Sequence, residues 1–179
     1  MPKAPLPTSV GAIYVGIDPG KSGGVSVLVP RSQFPTGIGD LKADLNMFKM
    51  PVTEMDMLDM FRSFKSLRTI EYRAYVELVG GYAGEGQPGS AMFNFGFITG
   101  AARTACLAAG IPLEVVAPAT WQKALSIPSR KKTESKTQWK NRLKGVAQRL
   151  FPAENIILQV ADSVLIAEYC RRKVNGLIK

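Results

Sequence analysis

The chain has 179 residues, enough for one domain with a substantial core. It contains no histidine and two cysteines, which excludes Ser-His-Asp catalysis, Cys-His pairs, histidine-containing zinc sites and four-cysteine zinc sites. The formal net charge of +9 favours a polyanionic partner, with nucleic acid ahead of an anionic membrane surface and a merely basic protein as the alternative.

Residues 1–10 form a short proline-rich tail, and residues 11–179 are predicted to form a single domain. The tail has no apolar signal core, and no apolar run approaches the roughly 20 residues of a membrane helix. We therefore expect a protein that is neither exported nor membrane-bound. Cys106 and Cys170 are far apart in predicted helices, which is typical of small buried hydrophobic residues in a reducing compartment.

The first predicted strand ends at an acid, Asp18. An apolar run at 12–15 leads into the turn at 16–24, and a second apolar run follows at 25–29. Three interpretations of Asp18 stay open at this point. It is an aspartate capping its own turn, a metal-binding acid, or part of a glycine-rich turn that binds phosphate.

A second acid, Glu77, lies near the end of another predicted strand. The third strand is predicted at 45–50, in an antiparallel meander with the first two, and a helix capped by Thr53 follows. The fourth strand is predicted at 73–79, and it runs into a glycine-rich loop that contains Tyr82.

The next predicted helix spans 90–109 and carries small residues every fourth position. Such a stripe allows close packing on a sheet or on a partner subunit. We expect most of its bulky residues to lie in the core, with one aromatic near the helix start facing the glycine-rich loop. These bulky residues are Phe93, Phe95, Phe97 and Ile98. A fifth strand is predicted at 113–116.

The composition then becomes strongly basic. Between Lys123 and Arg149 there are nine basic residues and one acid, Glu134. A charged run is usually a solvated face, but a run of one sign repels itself and fits better opposite phosphates. Part of this segment, 133–150, is predicted to be helical.

The last predicted helix begins at Ala161 and places Asp162 on the same face as Leu165, Ile166 and Tyr169. Glu168 points elsewhere and is interpreted as an ion-pair partner of the arginines that follow it. If the first and fourth strands are neighbours, Asp18, Glu77 and Asp162 converge at one edge. Converging carboxylates repel one another unless divalent cations lie between them, and two such cations about 4 Å apart form a phosphodiester-cleaving site.

The ordered motifs of the chain resemble those of the RuvC-like Holliday junction resolvases, in the ribonuclease H-like superfamily, and are most similar to the phage-encoded and chloroplast branch. The resemblance spans about residues 11–172. The matching stretches are Gly16-Ile17-Asp18-Pro19-Gly20, Tyr75-Val76-Glu77, Phe95 to Ala101, Pro118 to Leu125 and Ala161 to Tyr169.

The resemblance implies an α/β, ribonuclease H-like fold, with a five-stranded mixed sheet of three antiparallel and then two parallel strands, flanked by helices. It implies a homodimer that cuts four-way DNA junctions by paired symmetric nicks, leaving a 5′-phosphate and a 3′-hydroxyl. It also implies two Mg²⁺ or Mn²⁺ ions per active site and no small-molecule cofactor.

By the same match, Asp18, Glu77 and Asp162 are the expected catalytic residues and metal ligands. Relatives usually carry a further acid three to five residues before the last aspartate. This chain has Gln159 there, which is a candidate ligand through its amide oxygen but brings no charge. The expected DNA-binding residues are Lys123, Arg130, Lys131, Lys132, Lys136, Lys140, Tyr82 and Phe93.

Two other functions remain open. The departure at Gln159 favours a catalytically weakened or inactive junction-binding protein with the same fold. An actin- or sugar-kinase-like ATP-binding protein also carries an aspartate and glycines after its first strand, but it needs a duplicated fold, and the chain shows no internal repeat. The expected location is the cytoplasm of a bacterial host, if the protein is phage-encoded, or an organellar nucleoid.

Overall fold

A computed structural model describes residues 12–30, 32, 41, 44–65, 70–78, 80 and 89–178 of the chain. The proline-rich tail and Tyr82 therefore lie outside the described residues. The strands are β1 (Ile13–Asp18), β2 (Gly24–Leu28), β3 (Leu45–Lys49), β4 (Tyr72–Glu77) and β5 (Leu113–Val116). The helices are α1 (Glu54–Phe64), α2 (Gly89–Ala108), α3 (Pro118–Ala124), α4 (Lys136–Leu150) and α5 (Ala161–Val174).

The five strands form one mixed sheet in the order β3-β2-β1-β4-β5. The first three strands pair antiparallel, whereas β4 pairs parallel to both β1 and β5. This arrangement confirms the predicted fold class, three antiparallel strands followed by two parallel ones. It also confirms that β1 and β4, which end in Asp18 and Glu77, are neighbours.

Helices cover both faces of the sheet. On one face, α1 and α2 contribute to a core cluster with alternate residues of β1, namely Ile13, Val15 and Ile17. On the other face, α3, α4 and α5 pack with Tyr14 of the same strand. The strand is buried on both sides, which accounts for its continuous apolar sequence rather than an alternating one.

The helix α5 lies directly against β1 because Gly16 has no side chain. A Cβ at Gly16 would lie 2.9 Å from Ala167 Cα, and closer still to the carbonyl oxygen of Ser163 and the amide nitrogen of Ala167. The helix is buried from its first residue through Cys170. The hydroxyls of Ser26 and Ser163 share a buried hydrogen bond of 2.7 Å between α5 and the sheet.

Side-chain caps fix the starts of two helices. Thr53 accepts a hydrogen bond from the Asp56 amide at the start of α1, as predicted. Ser135 and Gln138 form a capping box at the start of α4, so this helix begins at Lys136 rather than at 133. Cys106 and Cys170 are free and buried, as expected.

The expectation for α2 is wrong in part. Phe93 and Phe97 are more than half exposed and stack on each other with ring centroids 6.4 Å apart. Among the described residues, nothing lies within 4 Å of a Cβ added at Gly96 or Gly100. The helix is apolar on most sides, but among the described residues only the side that carries Ala102, Ala105 and Cys106 is buried, in the core cluster shared with α1 and the sheet. In the ranges that the structure describes, no helix is both long and apolar enough to cross a membrane.

Candidate active site

The three acids singled out in the sequence lie at the same edge of the sheet. Asp18 is the last residue of β1, and Glu77 is the last residue of β4. The two strands run parallel with Ile17 opposite Val76, so both carboxylates leave the sheet side by side. Asp162 occupies the first turn of α5, which packs on β1. The structure therefore brings together acids that are separated by 59 to 144 positions in the sequence.

The Lys140 ammonium lies among these acids. Its Nζ donates a hydrogen bond to Asp162 Oδ2 and lies 4.0 Å from Asp18 Oδ2. The Asp162 and Asp18 side chains are 6% and 13% exposed, against 33% for that of Lys140. Sequence analysis assigned Lys140 to a DNA-binding surface, whereas the structure places its charged end in the acid cluster.

Burial and mutual repulsion shift the pKa values of the acids. Burial, and then the Asp162 charge, raise the pKa of Asp18 to about 6, although the nearby Lys140 opposes the shift. Burial, followed by Asp18 and Asp162, raises the pKa of Glu77 to about 7. Burial lowers the pKa of Lys140, but the Asp162 and Asp18 charges outweigh it and the net shift is upward. The cluster is short of positive charge even with Lys140 in place.

Trp121 orients Glu77. Its indole Nε1 donates a hydrogen bond of 3.0 Å to Glu77 Oε1, and the ring is fully buried between α3 and the core. This bond lowers the pKa of Glu77 slightly against the dominant effect of burial. A buried indole N–H needs an acceptor. Trp121 was therefore recognisable in the sequence as a candidate to orient a polar side chain. The sequence does not identify which side chain accepts the bond.

The role of Lys140 also has a signal in the sequence. Lys140, Leu143 and Ala147 recur at helical spacing in α4, and the latter two are buried. A lysine on the buried face of an amphipathic helix needs an anionic partner. Lys136, one turn earlier, lies on the same face, so the spacing leaves two candidate lysines, and only the partial burial of Lys140 in the structure distinguishes it from the exposed Lys136.

The tight turn after β1 holds Asp18 in place. The Gly23 amide donates to Gly20 O at 2.8 Å, and a Cβ on Gly23 would lie 3.0 Å from the Asp18 carbonyl carbon. No described backbone N–H donates to the Asp18 carboxylate, which argues against the interpretation of Asp18 as a cap of its own turn. The Asp18 side chain instead faces Lys140 and the other acids.

The donor set suits a hard divalent cation. Mg²⁺ and Mn²⁺ prefer carboxylate oxygens, and Asp162 Oδ1 is buried without a hydrogen-bond partner. A buried carboxylate oxygen with no donor among the described residues is costly, and a cation would satisfy it. As the side chains stand, no three His, Cys, Asp or Glu residues of the described ranges are grouped closely enough to hold an ion. Glu77 is bonded to Trp121, and Asp162 to Lys140.

Gln159 lies just before α5 and is partly exposed. Within the described part of the chain its amide makes no hydrogen bond to Asp18, Glu77 or Asp162. Its role as an additional ligand therefore stays a prediction.

The basic segment presents exposed cations on the elements around Lys140. Lys123, Lys131, Lys132 and Lys136 are exposed, on α3, on α4 and on the loop between them. The single acid of the segment, Glu134, organises this loop. Its carboxylate accepts hydrogen bonds from Arg142 Nε and Nη2 and from the Lys131 amide, while Arg130 donates to the Glu134 carbonyl.

Arg142 has a structural role, because its guanidinium bonds to groups of the protein instead of facing solvent. Its guanidinium also donates to the Pro128 and Ser129 carbonyls and lies over the Trp139 ring at 4.4 Å. The loop is thereby tied to α4.

Phe93, a predicted DNA-contacting residue, is 72% exposed in the first turns of α2.

Comparisons with known proteins identify the fold. No protein-family model and no curated protein matches the sequence. Solved structures do match in three dimensions, and two of them are RuvC structures. The Thermus thermophilus RuvC structure superposes with a TM-score of 0.60 at 20% identity, covering 93% of this chain and 98% of that one. T. thermophilus RuvC in complex with a Holliday junction substrate superposes with a TM-score of 0.59 at 17% identity, covering 94% and 99%. The chain has the RuvC fold.

Proposed function

We propose that the chain is a metal-dependent DNA endonuclease that cuts four-way junctions by paired symmetric nicks. The observation that carries the proposal is the convergence of Asp18, Glu77 and Asp162 at one edge of the sheet. Further support comes from the RuvC fold, which another protein uses in complex with a Holliday junction. The sequence motifs that carry these acids resemble those of junction resolvases.

The proposed cofactors are two Mg²⁺ or Mn²⁺ ions, with Asp18, Glu77 and Asp162 as ligands. Such ions activate water and stabilise charge on a phosphodiester as it is cleaved. The protein contributes the arrangement of the acids. β1 and β4 fix Asp18 and Glu77 side by side, Trp121 holds one oxygen of Glu77, and the packing of α5 on β1 sets the position of Asp162.

The exposed cations of the basic segment would bind the DNA backbone next to the acids. Lys123, Lys131, Lys132 and Lys136 are free to contact phosphates, and Arg130 lies on the same ordered loop. Phosphate contacts of this kind position DNA without reading its sequence. Phe93, together with Tyr82 of the undescribed loop, is proposed to stack on unpaired bases at the junction centre.

We propose a homodimer formed through α2. Paired nicks in opposing strands require two sites related by two-fold symmetry. The outer side of α2 exposes Phe93, Phe97 and Leu107, and the open positions at Gly96 and Gly100 allow a second helix to approach closely. A protein acting on such junctions belongs where DNA is, in a bacterial cytoplasm or an organellar nucleoid.

Cleavage of a synthetic four-way junction tests the proposal. With Mg²⁺ or Mn²⁺ the protein should nick two opposing strands, and EDTA should abolish the nicks. Glu77→Gln should lose at least about 10³-fold in rate while binding the junction normally. The glutamine amide oxygen can still accept the Trp121 bond, so the fold should persist.

Glu71→Gln is a matched control, because Glu71 precedes β4 at the opposite end of the strand and pairs with Arg73. It should cut at the wild-type rate. If Glu77→Gln cuts as well as Glu71→Gln does, Glu77 is not a catalytic residue.

The second candidate function is a junction-binding protein with weak or no nuclease activity. The specific observation in its favour is that Gln159 brings no charge to the site, while Lys140 is bonded to Asp162. Junction binding without nicks in either Mg²⁺ or Mn²⁺ would establish this function and refute the nuclease.

A further inference from the structure

The Lys140 ammonium occupies a position that a metal ion would need. It is hydrogen-bonded to Asp162 Oδ2 and lies 4.0 Å from Asp18 Oδ2, so it already bridges two of the three acids. It reaches them from α4, which packs against α5. Because Asp162 is almost fully buried, its negative charge would be costly without a cation close by.

Lys140 differs in this respect from the other basic residues of α4. Lys136 and Arg149 are exposed, Lys144 is half-buried and makes no ion pair with the residues that the structure describes, and Arg142 is committed to Glu134. The structure therefore sets one cation of the basic segment apart from those that face outward.

We propose that Lys140 is the resident counter-ion of the acid cluster, and that a divalent cation must displace it from Asp162 in order to bind. The inference rests on the metal site of the proposed function. Three carboxylates at one buried edge repel one another, and the ammonium offsets that repulsion in the metal-free protein. Lys140 thereby stabilises the fold and weakens metal binding at the same time.

The arrangement also gives Lys140 a second position. Once Asp162 is bound to metal, the ammonium is released at the edge where the DNA phosphate must lie. Its side chain is 33% exposed, so it can turn outward without unfolding α4. The loss of one carboxylate contact is then compensated by a phosphate contact.

Calorimetric titration of Mn²⁺ into the metal-free, full-length protein without DNA tests the inference. Lys140→Met should bind Mn²⁺ about tenfold to a hundredfold more tightly than the wild type. This range is expected when a positive charge within about 4–6 Å of the carboxylates is removed, because it no longer competes with the metal ion. Lys144→Met, one turn further along α4, removes the same charge from outside the site. It should change Mn²⁺ affinity by no more than about twofold.

Amine labelling of the wild-type protein provides a test that needs no variant. Reductive methylation read by mass spectrometry should modify Lys140 slowly without metal and faster once Mg²⁺ is added, while the labelling of Lys144 stays constant. This measurement decides the matter if Lys140→Met fails to fold.

The outcomes separate the two proposals. If the wild type binds Mn²⁺, and Lys140→Met binds it no more tightly than Lys144→Met does, or Lys140 labelling does not respond to Mg²⁺, the counter-ion role is refuted and the nuclease proposal stands. If neither the wild type nor Lys140→Met binds Mn²⁺, the metal site itself is refuted and the inference falls with it. Tighter binding by Lys140→Met, with no cleavage by the wild type, would support the counter-ion role and contradict the nuclease.

Discussion

The contact between β1 and α5 positions the acids. It can be tested by adding one carbon atom to the chain at Gly16. Replacing Gly16 with alanine adds a carbon 2.9 Å from Ala167 Cα, and closer still to backbone atoms of Ser163 and Ala167. Non-bonded carbons prefer separations of about 3.5–4.0 Å, so α5 must move away from the strand by about 1 Å. Backbone atoms cannot rotate aside as a flexible side chain can.

The expected cost of Gly16→Ala is large. A gap of this size forfeits about a quarter to a half of each contact energy along the interface, and overpacking alone typically costs about 1–3 kcal/mol. Because the whole buried helix must shift, we expect a loss of at least about 3 kcal/mol in the free energy of unfolding. For a urea m-value of about 2 kcal/mol/M, the midpoint falls by about 1.5 M.

Equilibrium urea unfolding, followed by circular dichroism, measures this change. Gly145→Ala is the matched control, because a Cβ there meets only Arg149 Nη1 at 3.8 Å. The same substitution in the middle of α4 should stabilise the protein by about 0.5–1 kcal/mol. A Gly16→Ala midpoint equal to that of the wild type, with the expected rise for Gly145→Ala, would refute the packing of α5 on β1.

Two further predictions concern charged side chains. Glu134→Ala should weaken junction binding and reduce the slope of log affinity against log salt by about 1, because the loop of the basic segment loses its tie to Arg142. Simple Coulomb repulsion predicts tighter binding instead, so a gain in affinity would show that the tie is unimportant. Burial raises the pKa of Glu168, but hydrogen bonds from Arg171 and Arg172 outweigh it, and the net shift is downward. Glu168→Gln should therefore cost about 1–2 kcal/mol at pH 7. The difference from the wild type should shrink once the pH falls below the ordinary glutamate range and vanish below the lowered pKa of the folded carboxyl; a constant difference from pH 7 to pH 3 would contradict this account.

Much of the fold could be predicted because its signals are local. Continuous apolar runs identified the buried strands, and β5 has the predicted bounds. Thr53 identified the start of α1. Glu168 was assigned to the arginines three and four residues later, and it pairs with both. In each case the residues that decide the feature are neighbours in the sequence, so periodicity or a cap motif reveals it.

The candidate site was predicted only in part. The positions of Asp18 and Glu77 at strand ends follow from the sequence, and so does the placement of Asp162 on the buried face of its helix. Their convergence depended on the order of the strands. The exposed side of α2 was predicted wrongly, because a helix with apolar residues on most of its sides does not show which side is buried.

The sequence was enough to predict most elements, the fold class and three candidate acids. Which groups those acids meet depends on how the elements pack. Trp121 is bonded to Glu77 across 44 positions, and Lys140 to Asp162 across 22. The physical reason is that hydrogen bonds and ion pairs act over about 3–4 Å, and separations of that size between different elements are set by how helices and strands pack, not by their order in the chain.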